Sequence, residues 1–440
     1  MEFILSQSNE ALTTHAGLAL IGRLLAKTHL RERLNQTQWE QDKNFEISNA
    51  EVVCSYLGLL SQGKSDFDHI EPFRCDQFFP TALECQRIPS APTLRQRFDA
   101  FAASRWGDII REESASLLKR MKVTLTPALR DLIPLDVDVS PFDNSDSKKE
   151  GVELTYKKVA GYAPIFFYLG KEGYLVDEEL RPGSTHSQAG TPTLLKRVFA
   201  LARLITASPL LLRTDAGHDS IDNFLLCHQT EGVEYIIKHN LRSESPEKWR
   251  DIAQVFGALE EPRPGKKVWI GSQAVEMEHE QITFPVNVVF RVTERRIDKN
   301  GQALLVPDLE VEVWYTSLPD DAKTIIRLYE EHGTMEQFHS ELKTELDLER
   351  LPSGKFATNA LVLDCGMLAY NLLKLIGQES LTAASQPLRK KVSRRRIRTV
   401  IQNLIMLAAR LVYHARRWKL SFGRDSSWFL IFKHVYLRFA

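Results

Sequence analysis

The chain is poor in cysteine. Its five cysteines (Cys54, Cys75, Cys85, Cys227 and Cys365) are scattered, and none forms a C-x-x-C pair. That spacing argues against a zinc ribbon and against a disulfide framework, so a reducing, cytoplasmic compartment is expected. Long apolar runs are missing too. Nothing approaches the roughly 18 uninterrupted apolar residues of a membrane span, and none is expected. The first residues, Met1-Glu2-Phe3-Ile4-Leu5-Ser6, have neither a basic start nor a long apolar stretch, so no signal peptide is expected. Net charge is also absent, with Lys+Arg and Asp+Glu both at 57. What is present, 440 residues with 43% hydrophobic and 26% charged content, is the composition of a globular protein with two or three folding units.

The zero net charge hides an asymmetry. Between Arg389 and Arg424 stand twelve Lys/Arg and no Asp/Glu. The block opens with Arg389-Lys390-Lys391 and Arg394-Arg395-Arg396-Ile397-Arg398. A basic block on a neutral chain points to a polyanion held at one side, the plainer alternative being a solvated helix face. Its continuation from Leu404 to Trp418, with Arg410, Arg416 and Arg417, reads as an amphipathic helix. Residues 1–130 also read as mainly helical. Helices are expected over Ala16 to Asn35 and Ser48 to Leu60, with Gly63 as a stop. Ser90-Ala91-Pro92-Thr93 reads as a capped start, and its helix carries Arg95 and Arg97 near the N-terminal end, a candidate DNA-gripping element.

The stretch Leu132 to Ser140 reads as a buried strand that puts Asp136 and Asp138 on one face and Val137 and Val139 on the other. Two carboxylates on one face of an apolar strand repel each other, and a divalent cation would relieve them; a turn cap or a pairing with Arg is the plainer reading. Strands follow at Ala163–Leu169 and Gly173–Val176. A helix over Thr191–Thr206 leads to an apolar strand that ends Arg213-Thr214-Asp215-Ala216-Gly217. Helix then strand implies a parallel neighbour, and ligand sites lie beyond the carboxyl ends of such strands. Residues 241–318 are rich in β-branched and aromatic residues and read as a β-rich insertion. Beyond it, Tyr329, His332, Glu336 and Lys343 share one side of a helix, unless Gly333 breaks it and Thr334 starts a new helix with a capping box to Gln337. A mostly apolar helix over Ala357–Ile376 is expected in the core.

In that order, Asp138 on a first strand, Asp215 on a later strand edge and Glu336 on a helix after a β-rich insertion, the chain resembles bacterial insertion-sequence transposases of the DDE type. Tyr329, His332, Glu336 and Lys343 stand at the spacing of the Y-(2)-R-(3)-E-(6)-K signature, with His332 where the family has Arg. Asp138-Val139-Ser140, the Arg-Pro-Gly loop at Arg181, Arg213-x-Asp215 and the basic segment extend the resemblance over nearly the whole chain. It implies an α/β fold with an RNase-H-like mixed sheet flanked by helices. The parts would be a helical DNA-binding region (1–130), a catalytic core in two parts (131–240 and 319–380) split by the insertion (241–318), and a basic helical region for DNA binding and dimerisation (381–440).

The resemblance further implies strand cleavage and strand transfer at the inverted-repeat ends of an insertion sequence. Two Mg2+ ions (or Mn2+) about 3.5–4 Å apart would clamp the entering and leaving oxygens. Asp138 would bridge them, while Asp215 and Glu336 would hold one each. Asp136 remains an alternative first ligand, since both carboxylates leave the strand on one side. Tyr329, His332, Lys343, Arg95, Arg97, Arg389, Lys390, Lys391, Arg394, Arg395, Arg396 and Arg398 would contact DNA. The expected partners are double-stranded element-end and target DNA and a second subunit on that DNA, with no membrane, in the bacterial cytoplasm at the nucleoid. Two rival readings are an inactive DNA-binding remnant, which His332 hints at, and a stand-alone RNase-H-like nuclease.

Overall fold

The computed structural model describes residues 1–37, 45–242, 244–298, 300–384, 386–388 and 392–440. At its centre is a nine-stranded mixed sheet. In chain order its strands are β1 (Ile133–Val139), β2 (Ile165–Leu169), β3 (Tyr174–Glu179), β4 (Leu210–Thr214), β5 (Val233–Lys238), β6 (Gly257–Arg263), β7 (Lys266–His279), β8 (Ile282–Ile297) and β9 (Ala303–Thr316). Their order in the sheet is β6-β7-β8-β9-β5-β4-β1-β2-β3. β1, β2 and β3 form an antiparallel meander, while β1, β4 and β5 run parallel. The residues read as an insertion do not stand apart from this sheet. After the helix Pro246–Phe256 they form a four-stranded meander, and Trp314 to Thr316 of β9 pair antiparallel with Lys238 to Ile236 of β5.

Among the described residues the helices around this sheet include α1 (Leu18–Leu25), α2 (Leu30–Asn35), α3 (Asn49–Leu60), α4 (Ala91–Phe101), α5 (Trp106–Arg120), α6 (Thr191–Ile205), α7 (Ile221–Gln229), α8 (Ala322–Glu330), α9 (Met335–Ser340) and α10 (Phe356–Leu381). Their starts follow local chemistry. Ser48 and Glu51 close a reciprocal capping box at α3, and Ser90 caps α4 with Pro92 in its first turn. α10 is long and apolar enough to cross a membrane, but it is buried inside the protein. It lies in one continuous core with α1 to α5, the aromatic face of β2 and β3, and the C-terminal segment. The opposite face of β1, with Leu135, Val137 and Val139, packs in a second core with Leu194, Leu195 and Val198 of α6. β1 is therefore covered on both faces, which is why its seven residues are almost entirely buried.

Two local expectations are corrected. Gly333 neither leaves the helix unbroken nor starts a capped one. Glu331–Thr334 forms a tight 3₁₀ turn, and the Thr334 hydroxyl bonds back to the Glu331 carbonyl instead of capping α9. The C-terminal segment from Leu404 to Trp418 is not an amphipathic helix. It ends its helical part by Ile405 and then forms a hairpin, β10 (Ala409–His414) and β11 (Arg417–Phe422), followed by a last helix, α11 (Phe429–Arg438). The period-2 pattern Ala409, Leu411, Tyr413 and Trp418, Leu420, Phe422 prevails, because it gives the hairpin one apolar face to lay on the protein. The two chain ends are also stitched together. The amides of Ala16 and Gly17 donate to the carbonyls of Leu407 and Ile405, and a Cβ at Gly17 would sit 2.0 Å from the Leu404 carbonyl oxygen.

Candidate active site

Strand register separates the two acids of β1. Asp136 lies opposite Arg213 of β4 and Val137 opposite Thr214. One step further, the same register brings Asp138 level with Asp215 at the carboxyl ends of two adjacent parallel strands. Asp136 is spent on structure. Its two carboxylate oxygens accept from Arg213 Nε and Nη2 at 2.6 and 2.8 Å, and His332 Nδ1 lies 3.1 Å away. Arg213 Nη1 donates to the Leu328 carbonyl at 2.6 Å, tying both strands to the end of α8. Burial opposes ionisation of Asp136, but the Arg213 charge and the His332 contact outweigh it and hold the carboxyl below its usual range.

Asp138 faces outward from this cluster. One oxygen accepts from the Val139 amide at 2.7 Å and the other meets His339 Nε2 at 3.2 Å. His339 Nδ1 lies 3.3 Å from the Tyr168 hydroxyl, so a neutral imidazole protonated at Nε2 can link tyrosine to carboxylate. Burial disfavours the charge on Asp138, yet the His339 contact holds its carboxyl below the usual range. Asp215 behaves in the opposite way. Burial, and next the charge of Asp138, push it up to about 6 against the Gly217 amide that bonds it at 3.1 Å. Asp215 therefore does cap the short turn Ala216–His218, while it also feels the second carboxylate. Tyr156 closes another side. Its hydroxyl donates to the Val139 carbonyl at 3.1 Å and is pushed up to about 12 by burial and by Asp138 and Asp215.

The other expected site residues are dispersed. Glu336 is exposed on α9 and, among the described residues, its side chain makes no hydrogen bond or ion pair. The expected three-carboxylate convergence is not found: no three His, Cys, Asp or Glu side chains among the described residues come together closely enough to hold a metal ion. His339, three residues beyond Glu336 on the same helix, is the side chain that reaches Asp138. His332 was expected at a phosphate but is buried against Asp136. Tyr329 is half-buried between Trp314 and His332, each ring 5.7 Å away, and burial followed by Asp215 and Asp138 raises its hydroxyl. Lys343 donates to the Pro141 carbonyl, just past β1, and lies 5.5 Å over the Phe142 ring.

Several expected DNA contacts are also corrected. Arg97 is 4% exposed and bonds Asn49 Oδ1 and the Ile47 carbonyl, so it braces α3 instead of facing outward. Arg95 is exposed beside Asp68. Arg389, Lys390 and Lys391 lie outside the described residues. Arg395 is 3% exposed, bonded to Ser380 and Gln386. Arg394 bridges Glu341 and Gln337 at 2.8 Å each. Arg396 bonds Glu345 and Ser340, and the Arg398 amide donates to Glu345 at 2.6 Å. Gln337, Ser340, Glu341 and Glu345 recur along one side of the segment that begins at Glu336. The basic run thus works as a strap on that segment. Run composition could not show this, because the acids that neutralise the arginines lie some 50 residues earlier.

His218 was missed in the sequence. It is fully buried, neither ring nitrogen has a hydrogen-bond partner, and Nε2 is 3.9 Å from Asp215. Burial pushes it down to about 4, so it is neutral at pH 7. A depressed folded-state value makes the protein lose stability as pH falls from the unfolded value near 6.5 through 4. Other acids with raised values titrate in the same window with the opposite sign. The measurement is therefore a difference: wild type should lose about 3 kcal/mol more than His218→Leu between pH 7 and 4 in denaturant unfolding. Equal slopes would show that His218 does not stay neutral in the fold.

Two carboxylates thus stand at the carboxyl ends of adjacent parallel strands, where the charge of one raises the other. The family described as transposase DDE domain group 1 matches residues 4–440, and the chain belongs to it. It is thus a member of a transposase family with nuclease and transesterase chemistry that generally uses divalent metal ions. No curated protein matches the chain. Among solved structures it is similar to a chain of a piggyBac transposase synaptic complex with hairpin DNA, at 11% identity and a TM-score of 0.40, over 90% of this chain and 83% of that one.

Proposed function

We propose that the protein is the transposase of a bacterial insertion sequence, of the Y-R-E-K branch, and that it cuts and rejoins DNA strands at the element's inverted-repeat ends. The observation that carries this reading is the in-register pair Asp138 and Asp215 at the ends of β1 and β4, within a chain matched over residues 4–440 by a DDE family. The order β3-β2-β1-β4-β5, with β2 antiparallel to β1, supports an RNase-H-like core. Asp138 and Asp215 would hold a divalent ion, Mg2+ by hard-ligand chemistry; Glu336 would complete the set only after α9 moves, since its carboxylate is exposed and stands apart from the pair. When bound, such an ion would neutralise the negative charge that in-line phosphoryl transfer develops on the entering and leaving oxygens.

The chain's own residues divide the remaining work. The Asp136–Arg213 pair fixes the relative height of the two strand ends, and His339 orients Asp138. The strap of Arg394 and Arg396 holds the segment that carries Glu336 and Lys343. The partners are element-end and target DNA and a second subunit, in the cytoplasm. The exposure of Glu336 favours one second reading, a DNA-binding remnant without catalysis. The test uses purified protein, duplex DNA from the flanks of its own coding region, and Mg2+ or EDTA. Nicks at inverted repeats and joined products with Mg2+ alone are expected. Binding without metal-dependent nicking would establish the remnant, and nicking without joining would establish a nuclease.

A further inference from the structure

The hairpin β10–β11 has two faces of opposite character. Residues directly opposite each other on paired strands share a face. Ala409 with Phe422, Leu411 with Leu420, and Tyr413 with Trp418 make one face apolar. Arg410 with Ser421, Val412 with Lys419, and His414 with Arg417 make the other face polar and basic. The apolar face lies over the protein. Leu411, Trp418, Leu420 and Phe422 line a groove of about 510 Å³ against α1 and α11, with Phe422 5.3 and 4.9 Å from Phe429 and Phe432. The basic face is thereby turned away from the body. Among the described residues Arg416, Arg417 and Lys419 are exposed and have no acidic partner, in contrast to Arg394 and Arg396 of the strap. Arg410 at the base of this face is paired with Glu10 at 3.0 Å, so the uncompensated cations are those toward the tip.

The tip adds a second, independent observation. His414 pairs with Arg417, so the connecting loop is Ala415-Arg416, with φ of 52° and 59°. Two left-handed residues are what a tight two-residue hairpin turn requires, and Asn-Gly meets that need without strain. Here Ala and Arg adopt it, and the Arg is carried to the outermost point of the ribbon. At the base of the tip, Tyr413 and Trp418 lie 4.7 Å apart and are 59% and 44% exposed.

We propose that the basic face of this ribbon binds duplex DNA through its backbone, with Arg416, Arg417 and Lys419 on phosphates. Leu12 and Thr13 pair with Arg410 and Ala409 only at the base of the hairpin; beyond them the ribbon is two-stranded, which fits the width of a major groove, and its uncompensated cations aimed away from the body complement a polyanion. This rests on the DNA reading above but assigns the grip to a surface other than the carboxylate site. The triple variant Arg416→Ala/Arg417→Ala/Lys419→Ala should bind element-end duplex at least about tenfold more weakly at low salt. Its log K against log salt should be shallower by roughly 2 to 3, at about 0.9 per lost phosphate contact. In wild type, bound duplex should also protect Lys419 from acetylation, a readout that does not depend on a variant folding. An unchanged salt slope, or Lys419 acetylated equally with and without duplex, overturns the proposal. If wild type nicks DNA with Mg2+ while the slope stays unchanged, only the ribbon assignment fails. If wild type neither binds nor nicks DNA, the transposase reading fails with it.

Discussion

Asp138→Ala and Asp215→Ala are each expected to cut metal-dependent strand nicking by at least about 10³-fold while leaving the protein folded and able to bind duplex. On the proposed function these two carboxylates would hold a divalent ion, so losing one would remove several kcal/mol of transition-state stabilisation, and each 1.36 kcal/mol is a factor of ten. Neither substitution should unfold the protein. Removing Asp138 leaves only His339, which is neutral because burial holds its value below the ordinary range. Removing Asp215 relieves a carboxylate that its surroundings already disfavour. Asp136→Ala, two residues away, should do the reverse. It strands the guanidinium of Arg213, 2% exposed, with a single carbonyl partner. Breaking a buried ion pair from one side costs about 3–5 kcal/mol. Nicking assays and denaturant melts on the three variants separate the roles. A stable, inactive Asp136→Ala beside an active Asp138→Ala would exchange them.

Glu341→Ala is expected to destabilise the protein by roughly 3–5 kcal/mol and to release the C-terminal strap. Glu341 is fully buried. It meets Lys374 at 3.0 Å and Arg394 at 2.8 Å, and it accepts from the Ile397 amide at 3.2 Å. Lys374 is itself 1% exposed, and burial pushes it down to about 8 even with the carboxylate beside it. Without Glu341 the lysine loses its counter-charge, and Arg394 keeps only Gln337 on the segment. Urea unfolding measures the loss, and limited proteolysis at Arg394 and Arg396 reports strap release. A change below about 1 kcal/mol with no new cleavage would mean that the strap is held elsewhere.

Much of the fold was legible in the residues. The buried strand at Leu132–Ser140, the strand ending in Asp215, the serine-capped starts of α3 and α4 and the apolar α10 each carry their signal within a few neighbouring positions. The carboxylate pair was legible for the same reason, since alternation and strand-end position are local properties. The hairpin at Ala409–Phe422 was not, because a short stretch satisfied both helical and period-2 templates and only the α1–α11 surface chose between them.

By itself the sequence determined which side chains leave β1 together and which acid ends β4. Both follow from a repeat of two residues along one strand. Only the tertiary structure decided that Asp136 is spent on Arg213 while Asp138 comes level with Asp215 and raises it, because that depends on the register between β1 and β4, which lie far apart in the chain. It likewise decided that Arg394, Arg396 and Arg398 strap the Glu336 segment while Arg416, Arg417 and Lys419 stay uncompensated. A basic residue carries the same charge anywhere in the chain, and what that charge does is set by acids that arrive beside it only on folding.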